Sequence, residues 1–312
     1  MRRTIVAALA ISAALFVAQP AGAGTMSYLA LGDSVAYGET DFTQNPSNGD
    51  RGYVSPYANF LGGQNGGVRP SVVNYAIDGE TSSSFLTGTN RVISSPGMTD
   101  QKLASWNTNY TNPATTQNQM MQQQLIAANA AGNPVSVVTL SLGANDLFKL
   151  AANPTFQSAT PAVQQQMLTA TLNQIGSSYS IVLAEIHALD PTAKVYAMGE
   201  YNPFPANPTN PLNAIAKPAV QGLNATIQSV AGTWGATYVD TYTPFLGHEA
   251  QYTYMTVTPG NVHPNAEGYA VIANQLINAT PAPEPSTIAV LGLGFAAIAV
   301  TARRRSLRNR AA

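Results

Sequence analysis

The run Val135-Ser136-Val137-Val138-Thr139-Leu140-Ser141-Leu142 constrains this chain more than any other stretch. It is nearly continuous in apolar and small residues and ends abruptly in Gly143-Ala144-Asn145-Asp146. A strand of that kind is covered on both faces, as the central strand of a parallel sheet is. A parallel sheet needs crossover connections, usually helices. The rest of the chain supplies them. Strand-like runs at 28–31, 72–77, 194–198 and 236–240 alternate with helical stretches at 55–61, 115–131, 161–189, 212–231 and 266–278. Five strands separated by helices predict a three-layer α/β/α domain. Its central sheet is parallel and five-stranded, with right-handed crossovers and a flavodoxin-like strand order. The 161–189 stretch reads as one long helix or two broken near Gly176. Residues 81–113 read as loop with short helical pieces, and the proline-rich 201–211 as an extended surface loop.

In such a sheet, ligands sit outside the carboxyl ends of the strands. The first strand runs straight into Gly32-Asp33-Ser34 and so delivers a serine there. The third ends at Asn145, and His263-Pro264-Asn265 precedes the last helix. A hydroxyl, an imidazole and an amide at one sheet rim are the minimum kit for acyl transfer. Each tripeptide alone is ordinary turn chemistry: Asp33 and Ser34 also suit a helix cap.

Composition removes other classes of function. The formal net charge of -1 leaves no electrostatic footprint for nucleic acid. With no cysteine there is neither a disulfide framework nor a thiolate ligand or nucleophile. Of the three histidines, His187 sits near the end of the long helix, where a positive charge suits the helix dipole. His248 lies in a loop, and the three contexts do not suggest one metal site, so neither metal nor cofactor is expected.

The two ends read as addresses. Residues 1–23 have the basic start, apolar middle and small-residue end of a secretory signal peptide. Residues 24–280 form the mature body. In 281–312, Pro283-Glu284-Pro285 is followed by a short apolar helix at 287–302 and then Arg303-Arg304-Arg305. The apolar run falls just under the ~17 residues that span a bilayer, and the arginines behind it belong in the cytoplasm.

This tail resembles the PEP-CTERM sorting signal. The resemblance implies a Gram-negative bacterium, recognition by an exosortase, and transient anchoring in the inner membrane before release to the surface or an exopolysaccharide matrix. The mature body resembles the GDSL, or SGNH, hydrolases through four blocks in order: Ser34, Gly79 after Asn74-Tyr75-Ala76-Ile77-Asp78, Asn145, and His263. The resemblance implies a secreted serine esterase. Ser34 would attack an ester carbonyl with His263 as base, and the oxyanion would rest on the Ser34 and Gly79 N–H groups and the Asn145 amide. The substrate would be an ester, on an acylated polysaccharide or a lipid. One position departs from the family pattern, which places Asp three residues before the His. Gly260 stands there. A backbone carbonyl of residues 256–260 is the favoured replacement, the Asn261 side chain an alternative. A weakened or non-catalytic matrix-binding relative is the third. Asp240 could reach the edge of the site but more readily caps its turn, and Asp33 and Asp146 read as braces of theirs.

Overall fold

The computed structural model describes residues 25–40, 50–93, 97–110, 112–258 and 260–281. The signal peptide, most of the sorting tail with its apolar helix, and residues 41–49 lie outside the described residues. The strands are β1 (Ser27–Gly32), β2 (Ser71–Asn74), β3 (Val137–Ser141), β4 (Lys194–Met198) and β5 (Thr237–Val239). They form one all-parallel sheet in the order β2-β1-β3-β4-β5, as the alternation predicts. The helices in the first half are α1 (Ser34–Tyr37), α2 (Val54–Gln64), α3 (Ser82–Thr87), α4 (Asp100–Trp106), α5 (Gln117–Ala130) and α6 (Ala144–Ala152). In the second half they are α7 (Pro154–Ser158), α8 (Pro161–Leu189), α9 (Asn213–Thr233), α10 (Glu249–Tyr252) and α11 (Ala266–Ala279).

Side chains alternate across each strand, and this divides the core in two. Leu29, Leu31, Val138 and Leu140 face α5, α8 and α9, where Leu125, Tyr179, Leu183 and Leu223 are buried. Tyr28, Ala30, Val137 and Tyr196 face α2 and α11, against Tyr57, Leu61, Ile272 and Leu276. At ~1.5–3 kcal/mol for each fully buried large apolar side chain, these two layers are the main source of stability.

One alternative is resolved and two expectations are corrected. The 161–189 stretch is a single unbroken helix. Gly176 lies where α8 meets α9, and a Cβ there would sit 3.0 Å from Thr226 Cγ2. Close helix packing, not a break, accounts for that glycine. The regular second strand ends at Asn74 and not at Ile77, although Tyr75 and Ile77 N–H still donate to Ala30 O at 2.9 Å and Gly32 O at 3.0 Å of β1. On the open edge a side chain from the 81–113 region stands in for a further strand: Asn107 Nδ2 donates to the carbonyls of Asn74 and Ala76, both at 2.8 Å. The 201–211 segment is not a surface loop throughout. It holds a short 3-10 turn, Phe204–Ala206, and buries Tyr201 and Phe204.

Candidate active site

The turn that carries Ser34 is set by β1. Gly32 has φ +140, and a Cβ on it would lie 2.1 Å from Ser141 O of the neighbouring strand. Only glycine lets β1 leave the sheet so close to β3. Asp33 N–H then donates to Ser141 O at 3.1 Å, and the Asp33 carboxyl accepts from Val35 N–H at 3.0 Å. Ser34 is thereby the first residue of α1. The second turn is equally constrained. Gly79 has φ +72, and a Cβ would meet Val92 O at 2.1 Å. Asn145 is the second residue of α6, and its Nδ2 donates to Glu80 O at 3.1 Å. An amide nitrogen has two hydrogens, so one remains for the cavity. Asp146 accepts from both the N–H and the hydroxyl of Ser82 at 2.8 Å, tying α6 to α3.

His263 is held on both sides. Tyr254 N–H donates to its carbonyl at 3.0 Å, and the Tyr201 hydroxyl donates to Val262 O at 2.8 Å. Asn265 then caps α11 by accepting from Gly268 N–H at 3.0 Å. The imidazole Nδ1 lies 2.9 Å from Asn261 Oδ1, which also accepts the His263 backbone N–H at 3.1 Å. A backbone N–H can only donate, so the atom facing it is the amide oxygen, and Nδ1 carries the hydrogen. The partner of the ring is therefore the Asn261 side chain and not the loop carbonyl favoured from sequence. Gly260 has φ +91, a backbone that side-chain-bearing residues rarely adopt, and no atom lies within 4 Å of where its Cβ would be. Burial pushes the His263 pKa down to about 4, which keeps the ring neutral with Nε2 unprotonated at neutral pH.

Ser34, Gly79, Asn145, Gly260 and His263 all line one cavity of about 430 Å³. Among the described residues no hydrogen bond joins the Ser34 hydroxyl to the imidazole. Such contacts often tighten only once substrate is bound. His187 is on the exposed face of α8, and His248 stacks on Tyr252 with ring centroids 5.3 Å apart. Neither lines the cavity. Asp240 braces its own turn by accepting from Tyr242 and Thr243 N–H.

Two features of the cavity are absent from the sequence reading. One is an apolar wall from α6 and α9, including Leu147, Phe148, Ala151, Ile215, Ala216 and Leu223. The signal was the spacing Leu147, Leu150, Ala151 directly after Asn145, which marks a helical face. The other is a set of carboxyl groups: Asp33, Glu39, Asp78 and Glu200. Burial raises the pKa of all four, Glu39 to about 7, and the Asp33 charge raises Glu200 further. Nothing local in the sequence marks Glu200, which is buried at the end of β4 with its N–H on Asn224 Oδ1 at 2.7 Å. Among the described residues no group of His, Cys, Asp and Glu side chains is arranged to hold a metal ion.

The model of the GDSL-like lipase/acylhydrolase family matches residues 30–271, and that of the PEP-CTERM protein-sorting motif matches 281–305. No curated protein matches the chain. Solved structures do. The lipase Lip_vut3 from a goat rumen metagenome is 20% identical, with TM-score 0.56 over 82% of this chain and 97% of that one. A putative GDSL-like lipase from Parabacteroides merdae is 13% identical, with TM-score 0.53 over 82% and 96%. A mutant of Axe2, an acetyl-xylooligosaccharide esterase from Geobacillus stearothermophilus, is 15% identical, with TM-score 0.52 over 82% and 94%. At these identities the likeness is one of fold.

Proposed function

Because the chain belongs to the GDSL-like lipase/acylhydrolase family, we propose that it hydrolyses carboxylic esters through an acyl-enzyme on Ser34. The observation that carries this reading is the meeting of Ser34, Gly79, Asn145 and His263, from four separate turns, on one cavity. His263 Nε2 takes the proton from Ser34 Oγ as Oγ bonds to the ester carbonyl carbon. The carbonyl oxygen becomes an oxyanion facing the Ser34 and Gly79 N–H groups and Asn145 Nδ2. Collapse of that intermediate breaks the bond to the alcohol, which leaves with the proton from Nε2. Water then repeats the sequence on the acyl-enzyme. A single donor of this kind typically contributes ~3–4 kcal/mol to lowering the barrier. Asn261 fixes the ring so that the unprotonated nitrogen is Nε2.

The acyl group is longer than acetyl. The apolar wall from α6 and α9 begins beside Asn145 and is continuous with Phe204 and Val262. A cavity of about 430 Å³ is far larger than an acetyl group needs, at roughly 30 Å³ per water-sized group. Apolar lining also gives an acetyl little to bind, whereas each buried methylene contributes ~0.8 kcal/mol. The sorting motif is consistent with export, with an exosortase as partner and with an ester at the cell surface or in its matrix.

The test uses the mature body and p-nitrophenyl esters of graded chain length. Hydrolysis that Ser34→Ala abolishes, with a fluorophosphonate adduct on Ser34, is the expected result. A body that neither labels nor turns over any ester is a non-catalytic relative. Fastest turnover of the acetate would instead favour a deacetylase of acylated polysaccharide.

A further inference from the structure

Behind the cavity wall lies a chain of buried polar side chains that takes no part in the steps above. Gln117 is the first residue of α5 and is fully buried. Its amide closes two hydrogen bonds on a single residue of the nucleophile strand. Gly32 N–H donates to Gln117 Oε1 at 2.5 Å, and Gln117 Nε2 donates to Gly32 O at 2.9 Å. The second hydrogen on Nε2 goes to Glu80 Oε2 at 3.0 Å. Glu80 is also fully buried. Its carboxylate accepts from Ser84 Oγ at 2.6 Å and Arg91 Nη2 at 3.2 Å, and Arg91 Nε lies 3.1 Å from Oε1. The backbone of Glu80 follows Gly79, and its carbonyl accepts from Asn145 Nδ2 at 3.1 Å.

One side chain therefore touches the supports of all three oxyanion donors. Gly32 lies two residues before Ser34, Glu80 directly after Gly79, and the Glu80 carbonyl holds Asn145. We propose that Gln117 is a positioning residue, which together with Glu80 sets the three donors at their mutual distances. The inference rests on Ser34 being the nucleophile. Stability alone does not require this arrangement: buried polar and ionic groups can often be replaced by apolar ones of similar volume without loss. Its geometry adds a side-chain brace, through Gly32 and Glu80, to turns that otherwise meet through the backbone bonds Asp33 N–H to Ser141 O and Ile77 N–H to Gly32 O and the Asp146–Ser82 contact. A misplacement of about 1 Å at a reacting centre can cost on the order of 100-fold in rate, and donors fixed in advance need no reorganisation during the reaction.

Gln117→Met keeps the length and most of the volume of the side chain and removes all three hydrogen bonds. Turnover of the best p-nitrophenyl ester is measured per active site, counted by the fluorophosphonate burst. The expected result is a fall in kcat of about 10- to 100-fold with KM within about threefold. Combined with Asn145→Ala, the loss is less than the product of the two single losses, because both act on one oxyanion site. Glu80→Gln, which keeps shape and removes the charge, is the second variant should Gln117→Met be insoluble, and it is expected to lower kcat in the same sense. Unchanged kcat per active site, or losses that multiply fully with Asn145→Ala, would reduce the network to a structural one and overturn the proposal. Absence of turnover in the unaltered enzyme would instead overturn the assignment of Ser34, and this inference with it.

Discussion

Asn261 holds the imidazole where the family pattern has a carboxylate, and the exchange changes the basicity of the ring more than its orientation. In the serine-protease template an amide in place of the acid costs about 10⁴ in kcat because the wrong tautomer results. Here the His263 backbone N–H pins the amide oxygen toward Nδ1, so the tautomer is the productive one. What is missing is a negative charge to stabilise the imidazolium. Burial alone then governs the ring, which stays neutral down to about 4. Since the base must be neutral, kcat/KM is expected to rise with pH through about 4 and to hold level above it. Asn261→Asp places a carboxylate on Nδ1, which favours the protonated ring and moves that acid limb upward by about one pH unit or more. Asn261→Ala leaves the tautomer unfixed and lowers kcat by roughly 100-fold or more, with the Ser34 adduct forming more slowly. Initial rates against pH for the three proteins check all of this. The departure at Gly260 is legible from the motif, and its replacement only as one of several candidates, of which the sequence favours the loop carbonyl and not Asn261. Asn261 and the carbonyls of 256–260 all lie within seven residues of His263, and the choice between them rests on three-dimensional placement: the chain takes a left-handed backbone at Gly260, and the Asn261 amide oxygen meets both the ring and the His263 N–H.

At the scale of elements, the strands and their order followed from period and turn chemistry, and the substrate wall did not. Gly143-Ala144-Asn145-Asp146 reads as a turn, so the helix that starts there was lost in it. The same happened at 201–211, where prolines suggest solvent. Tyr201 stacks on Phe245 at 4.4 Å between ring centroids, and Phe204 meets Phe148 edge-on at 6.1 Å. Contacts between residues so distant in the chain leave no local trace. Together α6, α9 and the Phe204 turn wall the cavity in which the proposed acyl group would lie. Ala216 is buried on α9 and lines the cavity beside Phe204. Ala216→Phe fills part of that space. The preferred p-nitrophenyl ester should then shorten by several carbons, and kcat/KM for the previous optimum should fall by about tenfold or more. The acetate should react within about threefold of its original rate, because a group that small does not reach residue 216. An unchanged chain-length profile would place the acyl group elsewhere.

For the molecule as a whole, burial at the site ties stability to pH. Six carboxyl groups, Asp33, Glu39, Asp78, Glu80, Asp146 and Glu200, have pKa values raised by burial, against hydrogen bonds where these exist and against Arg51 at Glu39, Arg91 at Glu80 and Lys149 at Asp146. A raised group still holds its proton in the folded protein at a pH where the unfolded chain has released it. Its contribution is complete below the unfolded value and is lost as pH rises through the folded one. For Glu39 that window runs from 4.5 to about 7. His263 acts in the opposite sense. Its pKa is lowered from 6.5 to about 4, so its contribution is present above 6.5 and lost as pH falls through 4. One histidine therefore opposes several carboxyls across the same range. Each net proton held only by the folded state changes stability by ~1.4 kcal/mol per pH unit. The midpoint of thermal unfolding of the mature body should be higher at pH 5 than at pH 8, the reverse of a protein whose carboxylates are paired with surface cations. Glu200→Gln, which is uncharged at every pH and keeps the shape of the side chain, should flatten that slope and raise the midpoint most at the alkaline end. Thermal melts of both proteins from pH 4 to pH 9 decide the matter. A midpoint that climbs steadily toward alkaline pH would mean that these carboxyls are charged and solvated in the folded state, and that the cavity is wetter than its walls imply.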